Sequence, residues 1–190
     1  MWNEFTWNQI VAPSLGVQFR GQGRIEEGIS NADYREIETA LSWRYSPRWT
    51  FAAAYENDQR FGEDEDVVHM PSLNATLMIP LRDWLLSNRF RMEFPVSQTG
   101  EDPWRAVYNN QTTLETKWKL GSRELRPFLS DQVRYSIQDG AFAENQLSVG
   151  VGIPVASHWT AQLFWMRLDE RTVEGWEWHP VLGVQIASQF

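Results

Sequence analysis

The stretch Trp176-Glu177-Trp178-His179-Pro180-Val181-Leu182-Gly183-Val184-Gln185-Ile186-Ala187-Ser188-Gln189-Phe190 decides how this chain is read. Trp176, Trp178, Pro180, Leu182, Val184, Ile186, Ser188 and Phe190 share one parity, and Glu177, His179, Gly183, Gln185 and Gln189 share the other. A β-strand shows successive side chains to opposite faces, so this segment has one greasy side and one polar side. It is long for a strand, opens on tryptophans and closes on an aromatic.

Working outward, turn signals recur along the whole chain and no stretch of useful length has helical periodicity. The alternation predicts strands at about 2 to 11, 15 to 26, 34 to 45, 49 to 60, 67 to 79, 84 to 94, 104 to 119, 124 to 137, 142 to 153, 158 to 168 and 176 to 190. Short connections hold Pro13-Ser14, Ser46-Pro47-Arg48, Pro80 to Asp83, Gly121 to Arg123 and Ala156-Ser157. Longer ones, Glu27 to Asp33, Phe61 to Asp66, Ser97 to Pro103, Gln138 to Ala141 and Asp169 to Gly175, alternate with them strictly. Short turns at one end and long loops at the other are the pattern of a transmembrane barrel. Greek-key crossings would break it.

The same parity split recurs from strand to strand. One face carries Leu15, Val17, Phe19, Leu41, Trp43, Phe51, Tyr55, Leu73, Leu77, Phe90, Leu147, Val149 and Val151. The other carries Arg20, Arg24, Glu36, Glu38, Arg44, Glu56, Arg89, Arg91, Glu93, Arg105, Glu115, Arg126 and Arg134. If the apolar face were inside, Trp, Phe and Tyr from every strand would crowd one small lumen. If it faces lipid, the two signs of charge line the interior and pair there. The sequence therefore predicts a single all-β domain over 1–190, an antiparallel up-and-down transmembrane β-barrel with charges inside.

Composition agrees. There are 11 tryptophans in 190 residues, and an indole sits best where one side is apolar and the other wet. Trp43, Trp49, Trp84, Trp118 and Trp159 lie beside short turns, with Phe190 expected at the same level. Trp104, Trp165, Trp176 and Trp178 lie towards the long loops, giving two interfacial girdles. The longest small or apolar run, Val149 to Ala156, is too short for a membrane helix. A net charge of −8 without a dense Lys/Arg cluster argues against a nucleic-acid partner. The absence of cysteine removes disulfides and thiolate metal sites and suits an oxidising compartment. No charged-then-apolar leader is visible, so in an exported protein Met1 stands where a removed signal ended.

Laid out this way, the chain resembles an uncharacterised family of bacterial outer-membrane β-barrels known only as a domain of unknown function. The resemblance rests on Phe5-Thr6-Trp7, on Asn88-Arg89-Phe90-Arg91-Met92-Glu93, on the strand from Arg126 to Tyr135, on Ser148-Val149-Gly150-Val151-Gly152 and on the aromatic-terminated last strand. It implies residence in the outer membrane of a Gram-negative cell and supplies no activity or site residues. Ser188 departs from the usual pattern, in which a large apolar residue stands two places before the final aromatic. Eleven candidate strands also conflict with the even number that a closed antiparallel barrel needs when its termini share one side. Ten strands, with residues 1–11 outside the wall, is the favoured resolution, and twelve is the alternative.

Candidate chemistry is sparse. His179 has lumen parity with Glu177 two residues away, an arrangement open to a general base oriented by a carboxylate, but no nucleophile motif accompanies it, and a rim histidine without catalytic purpose is preferred. His69 shares parity with Leu73 and Leu77, and His158 sits in a short turn beside Trp159. The acidic run Gly62 to Asp66 lacks the spacing of a dedicated Ca²⁺ loop and reads as a solvated charge run. No metal or other cofactor is called for. The functional expectation is an outer-membrane barrel with a charged, plugged interior, either a structural or interaction component or a narrow, porin-like polar channel. Its partners would be phospholipid, lipopolysaccharide and, during biogenesis, the barrel-assembly machinery. A lipid-modifying enzyme and a soluble ligand-binding barrel are the alternatives.

Overall fold

The computed structural model of the protein describes residues 2–25, 33–60, 66–97, 105–121, 123–173 and 175–189, with their side chains except at 24, 25, 33, 34, 60, 66 and 189. The alternating segments become strands β1 (Trp2–Ala12), β2 (Leu15–Ile25), β3 (Asp33–Arg44), β4 (Trp49–Arg60), β5 (Asp66–Leu81) and β6 (Trp84–Glu93). They continue as β7 (Val96–Ser97), β8 (Val107–Thr116), β9 (Trp118–Leu120), β10 (Arg123–Ser136), β11 (Ala141–Ala156), β12 (Trp159–Thr172) and β13 (Gly175–Gln189). The described residues contain no helix.

After a break at Phe94 and Pro95, β7 resumes the line of β6 and pairs with the same neighbour, β5; after Lys117, β9 resumes the line of β8 and pairs with the same neighbour, β10. The wall among the described residues is therefore eleven strands, in the cyclic order β1-β2-β3-β4-β5-β6-β8-β10-β11-β12-β13 and back to β1. Neighbours are antiparallel except at the closure, where Trp2 to Asn8 of β1 run parallel to Gly183 to Gln189 of β13.

That seam corrects the treatment of residues 1–11 as lying outside the wall. β1 is paired on both edges, with β13 and with β2. The even-number rule assumes that first and last strands run in opposite directions. Here both run from the long-loop end to the short-turn end, so an odd count closes. The slanted bonds of a parallel ladder satisfy the two edges as an antiparallel ladder would.

The faces divide by charge. Leu41, Leu73, Leu129, Leu163 and Leu182 are all at least half exposed on the outer face. Glu36, Glu38, Glu56, Arg91 and Glu93 are buried inside. At the short-turn end, aromatic rings of the outer face lie against one another, Trp43 with Tyr45 and Trp49 stacked on Phe51 at 6.0 Å.

One sector breaks the alternation, because β12 is apolar on both faces. Inward-facing Phe164, Met166 and Leu168 join Val181 of β13 and Trp2 of β1 in an internal cluster. Two glycines make room for flat rings against this part of the wall. A Cβ on Gly183 would fall 2.1 Å from Phe164 Cζ, and one on Gly150 would fall 2.6 Å from Phe128 Cζ. Ser188 is explained by its neighbours. Its register partners are Trp7 and Trp159, it is 1% exposed, and Trp159 packs 6.1 Å from Phe5. The adjacent strands supply the bulk that a larger side chain would otherwise provide, and Phe190 lies outside the described residues.

Candidate functional site

The lumen holds a cavity of about 830 Å³ lined from every wall strand. Its charged part is built on Arg91 of β6. Arg91 Nη1 donates to Glu38 Oε2 at 2.5 Å, Nη2 donates to Glu56 Oε2 at 2.7 Å, and Nε lies 3.1 Å from Glu93 Oε1. Strands β4 and β5 separate β3 from β6, so the bond to Glu38 is a chord across the lumen rather than a neighbour contact.

Arg20 of β2 reaches the same carboxylates. It pairs with Glu36, donates to Glu56 Oε2 at 3.0 Å and lies 3.4 Å from Glu38 Oε2. Arg134 of β10 donates to Glu93 Oε2 at 2.8 Å, and its Nη1 is 3.6 Å from Glu144 Oε2. Asn109 donates to Glu93 Oε1 at 3.0 Å. A continuous network thus joins β2, β3, β4, β6, β8, β10 and β11. Charges this far from solvent are tolerable only because each carboxylate meets a guanidinium. Oxygens of Glu36, Glu56 and Asp58 lie within 4.8 Å of one another, but Arg20 and Arg91 already claim Glu36 and Glu56, so these acids serve the guanidiniums.

The remaining lumen residues fall into place unevenly. Arg89 lines the cavity two residues nearer the short turns than Arg91, and Glu115 lines it lower still. Arg126 pairs with Glu124 at 2.7 Å near the short-turn end, outside the central cavity. Arg44 lies exposed at that end, beside a smaller space of about 270 Å³. Arg105 is exposed before β8 and does not line the lumen. The side chain of Arg24, the loop from Gly62 to Glu65 and Trp104 lie outside the described residues.

Of the tryptophans, Trp43, Trp84 and Trp118 are exposed by short turns, Trp49 and Trp159 are half-buried there, and Trp176 and Trp178 are exposed near the long-loop end. Trp165 is midway along β12. His179 faces the lumen mouth, but its nearest carboxylate is Glu170 on the neighbouring strand, at 4.0 Å. Glu177 is contacted instead by the Thr172 hydroxyl at 3.4 Å. His69 is on the outer face, 2.5 Å from the Tyr55 hydroxyl.

Parity marks Ser87, Gln111 and Gln132 as inward polar residues but does not show that they form an uncharged half of the lumen. Arg89, Gln111, Gln132 and Gln146 are successive partners across β6, β8, β10 and β11. One row lower, Ser87, Thr113, Ser130 and Ser148 are likewise successive partners. The signal was in the sequence, since each residue has inward parity, but the row appears only once the registers are known.

Comparison with known proteins places the fold. The solved structure of LpxR from Salmonella typhimurium superposes with a TM-score of 0.52 over 92% of this chain and 83% of that one, at 8% sequence identity, which is likeness of fold alone. No curated protein matches the sequence. The model of one family, however, covers residues 1–179. The chain belongs to the family described as Protein of unknown function (DUF2490).

Proposed function

We propose that the protein is an integral β-barrel of the bacterial outer membrane, with a lumen closed by its own ion pairs, serving as a structural or interaction component rather than as an open channel. The observation that carries this reading is the inversion of the two faces. Charged Glu38, Glu56, Arg91 and Glu93 are buried, while Leu73 is 61% exposed and Leu41 52% exposed. Water would penalise that outer face; hydrocarbon accepts it, and a closed barrel leaves no backbone edge unsatisfied there. Tryptophans near the two ends of the strands suit the two interfaces. Outer-membrane lipids are then the partners of the wall, and the barrel-assembly machinery is the partner during insertion.

The chord from Arg91 to Glu38 supports closure, because it crosses the space that a solute would need. Cell fractionation tests the location: the protein is expected in the outer-membrane fraction and to need detergent for solubility. A monodisperse detergent-free preparation would instead favour a soluble ligand-binding barrel. Planar-bilayer recording tests closure, with a flat trace expected in high salt.

A lipid-modifying enzyme is the second reading, supported by His179 beside Glu170 at the lumen mouth. Under the favoured reading, His179→Ala leaves the cell's lipid A and phospholipid profiles unchanged. An altered profile would move the reading to the enzyme.

A further inference from the structure

Arg89 differs from every other guanidinium that lines the lumen. Arg20, Arg91 and Arg134 each meet at least one carboxylate. Among the described residues Arg89 meets none: its single side-chain hydrogen bond is Nη2 to Gln132 Oε1 at 3.5 Å, and its Nε, like those of Arg20, Arg91 and Arg134, has no hydrogen-bond partner. A guanidinium turned into a cavity without an acid retains unused, charged donors in a fork that matches a planar or tetrahedral oxyanion.

The carboxylates of the network do not fill that role. Glu38 and Glu56 are held by Arg20 and Arg91 together, and Glu93 by Arg91, Arg134 and Asn109. The cross-strand neighbours of Arg89 are neutral, although Arg91 stands two residues along on the same face of β6 and Glu38 and Glu93 lie within electrostatic reach. The strand-to-strand row of Arg89 continues through the amides of Gln111, Gln132 and Gln146. The row below supplies hydroxyls, with the Gln111 amide donating to Ser130 Oγ at 3.2 Å and Thr113 2.9 Å from the same atom. Amides and hydroxyls both donate and accept, so Gln111 and Gln132 can reorient toward a polar ligand without a charged group being stranded, whereas the Gln146 amide already donates to Glu144 Oε1 at 2.5 Å.

We infer that this half of the lumen is a binding chamber for an oxyanion, a phosphate or carboxylate group carried by a small polar solute or by a lipid headgroup, with Arg89 as its charged anchor and Gln111 and Gln132 as its neutral donors. The lumen of which it is part holds about 830 Å³ in all, more than one phosphate needs. Arg89 stands on the short-turn side of the ion-pair network, so the chamber lies on that side too. The inference concerns the lumen alone and holds whether or not the barrel conducts.

The test uses the full chain in a nonionic maltoside detergent, titrated calorimetrically with inorganic phosphate at constant ionic strength. Saturable binding is expected, weakened about ten- to a hundredfold in Arg89→Gln, a variant whose circular dichroism and heat-modifiable gel mobility report that it still folds. Gln132→Ala, which removes the one side-chain hydrogen bond of Arg89, gives a second measure and decides the matter if Arg89→Gln does not fold. Competition by phosphatidylglycerol would make the ligand a headgroup, and its failure to compete would make it a free solute. Absence of saturable phosphate binding, or binding that both variants leave unchanged, overturns the inference.

Discussion

Two regions of one lumen share strand geometry and differ in chemistry. From β2 to β4, and across to Arg91, the interior is a lattice of carboxylates and guanidiniums in which Arg20 and Arg91 reach carboxylates two or three strands away as well as nearer ones. From β8 to β11 amides and hydroxyls predominate, and among the described residues the lattice reaches them only through Asn109, Arg134 and Glu144. The difference teaches that an interior polar residue is structurally indispensable only where its removal strands an opposite charge. Elsewhere it is free to serve a ligand.

The sharpest way to break the comparison is Arg91→Ala. It leaves Glu38 and Glu56 reliant on Arg20, and Glu93 on Arg134 and Asn109. A loss of about 3–5 kcal/mol is expected in urea unfolding from detergent micelles; a loss below 1 kcal/mol would mean that the lattice is not what holds the lumen shut. On the outer face, Leu129→Arg places a charge midway along β10. Its expected cost in bilayer-based unfolding is about 2–4 kcal/mol, and a neutral result there would contradict the lipid-facing assignment.

Gly183→Ala probes the apolar sector that borders both regions. Its methyl meets the Phe164 ring, so about 1–3 kcal/mol of destabilisation is expected, whereas Gly21→Ala, with nothing within 4 Å of its added carbon, serves as the control with little change. The smallest effect is expected from Arg89→Gln. No carboxylate loses its partner, so unfolding should shift by about 1 kcal/mol or less. A shift as large as that of Arg91→Ala would erase the distinction between the two halves.

Much of this architecture was legible in the residues, and the reasons are local. Alternation in Trp176 to Phe190, interrupted at Val181, Ala187 and Ser188, and in segments such as Leu15 to Phe19, fixes which face a side chain takes, because the strand period is two. Eleven candidate strands are countable in the sequence, and only the even-number rule for purely antiparallel closure argues against them. Parallel closure depends on where the two end strands lie relative to each other, which no local pattern encodes. Within the site, parity assigned Arg20, Arg89, Arg91 and Arg134 to the lumen but could not distinguish Arg91 from Arg89. That distinction rests on a glutamate 53 residues away in sequence, brought opposite by the curvature of the barrel. Arg44, Arg105 and Arg126 carry the same polar pattern, yet they stand at strand ends, where inward parity no longer means interior. The doubly apolar β12 was the other missed signal: Phe164, Met166 and Leu168 alternate with Leu163 and Trp165, a run without a polar face until Arg167.

The parallel seam between β1 and β13 also bears on how a barrel of this kind can change size over evolutionary time. Gaining or losing a hairpin alters the strand number by two and so preserves both the odd count and the parallel joint. Only the gain or loss of a single strand would convert it. Relatives that grow by whole hairpins would therefore keep the same closure, however far their loops and interiors diverge.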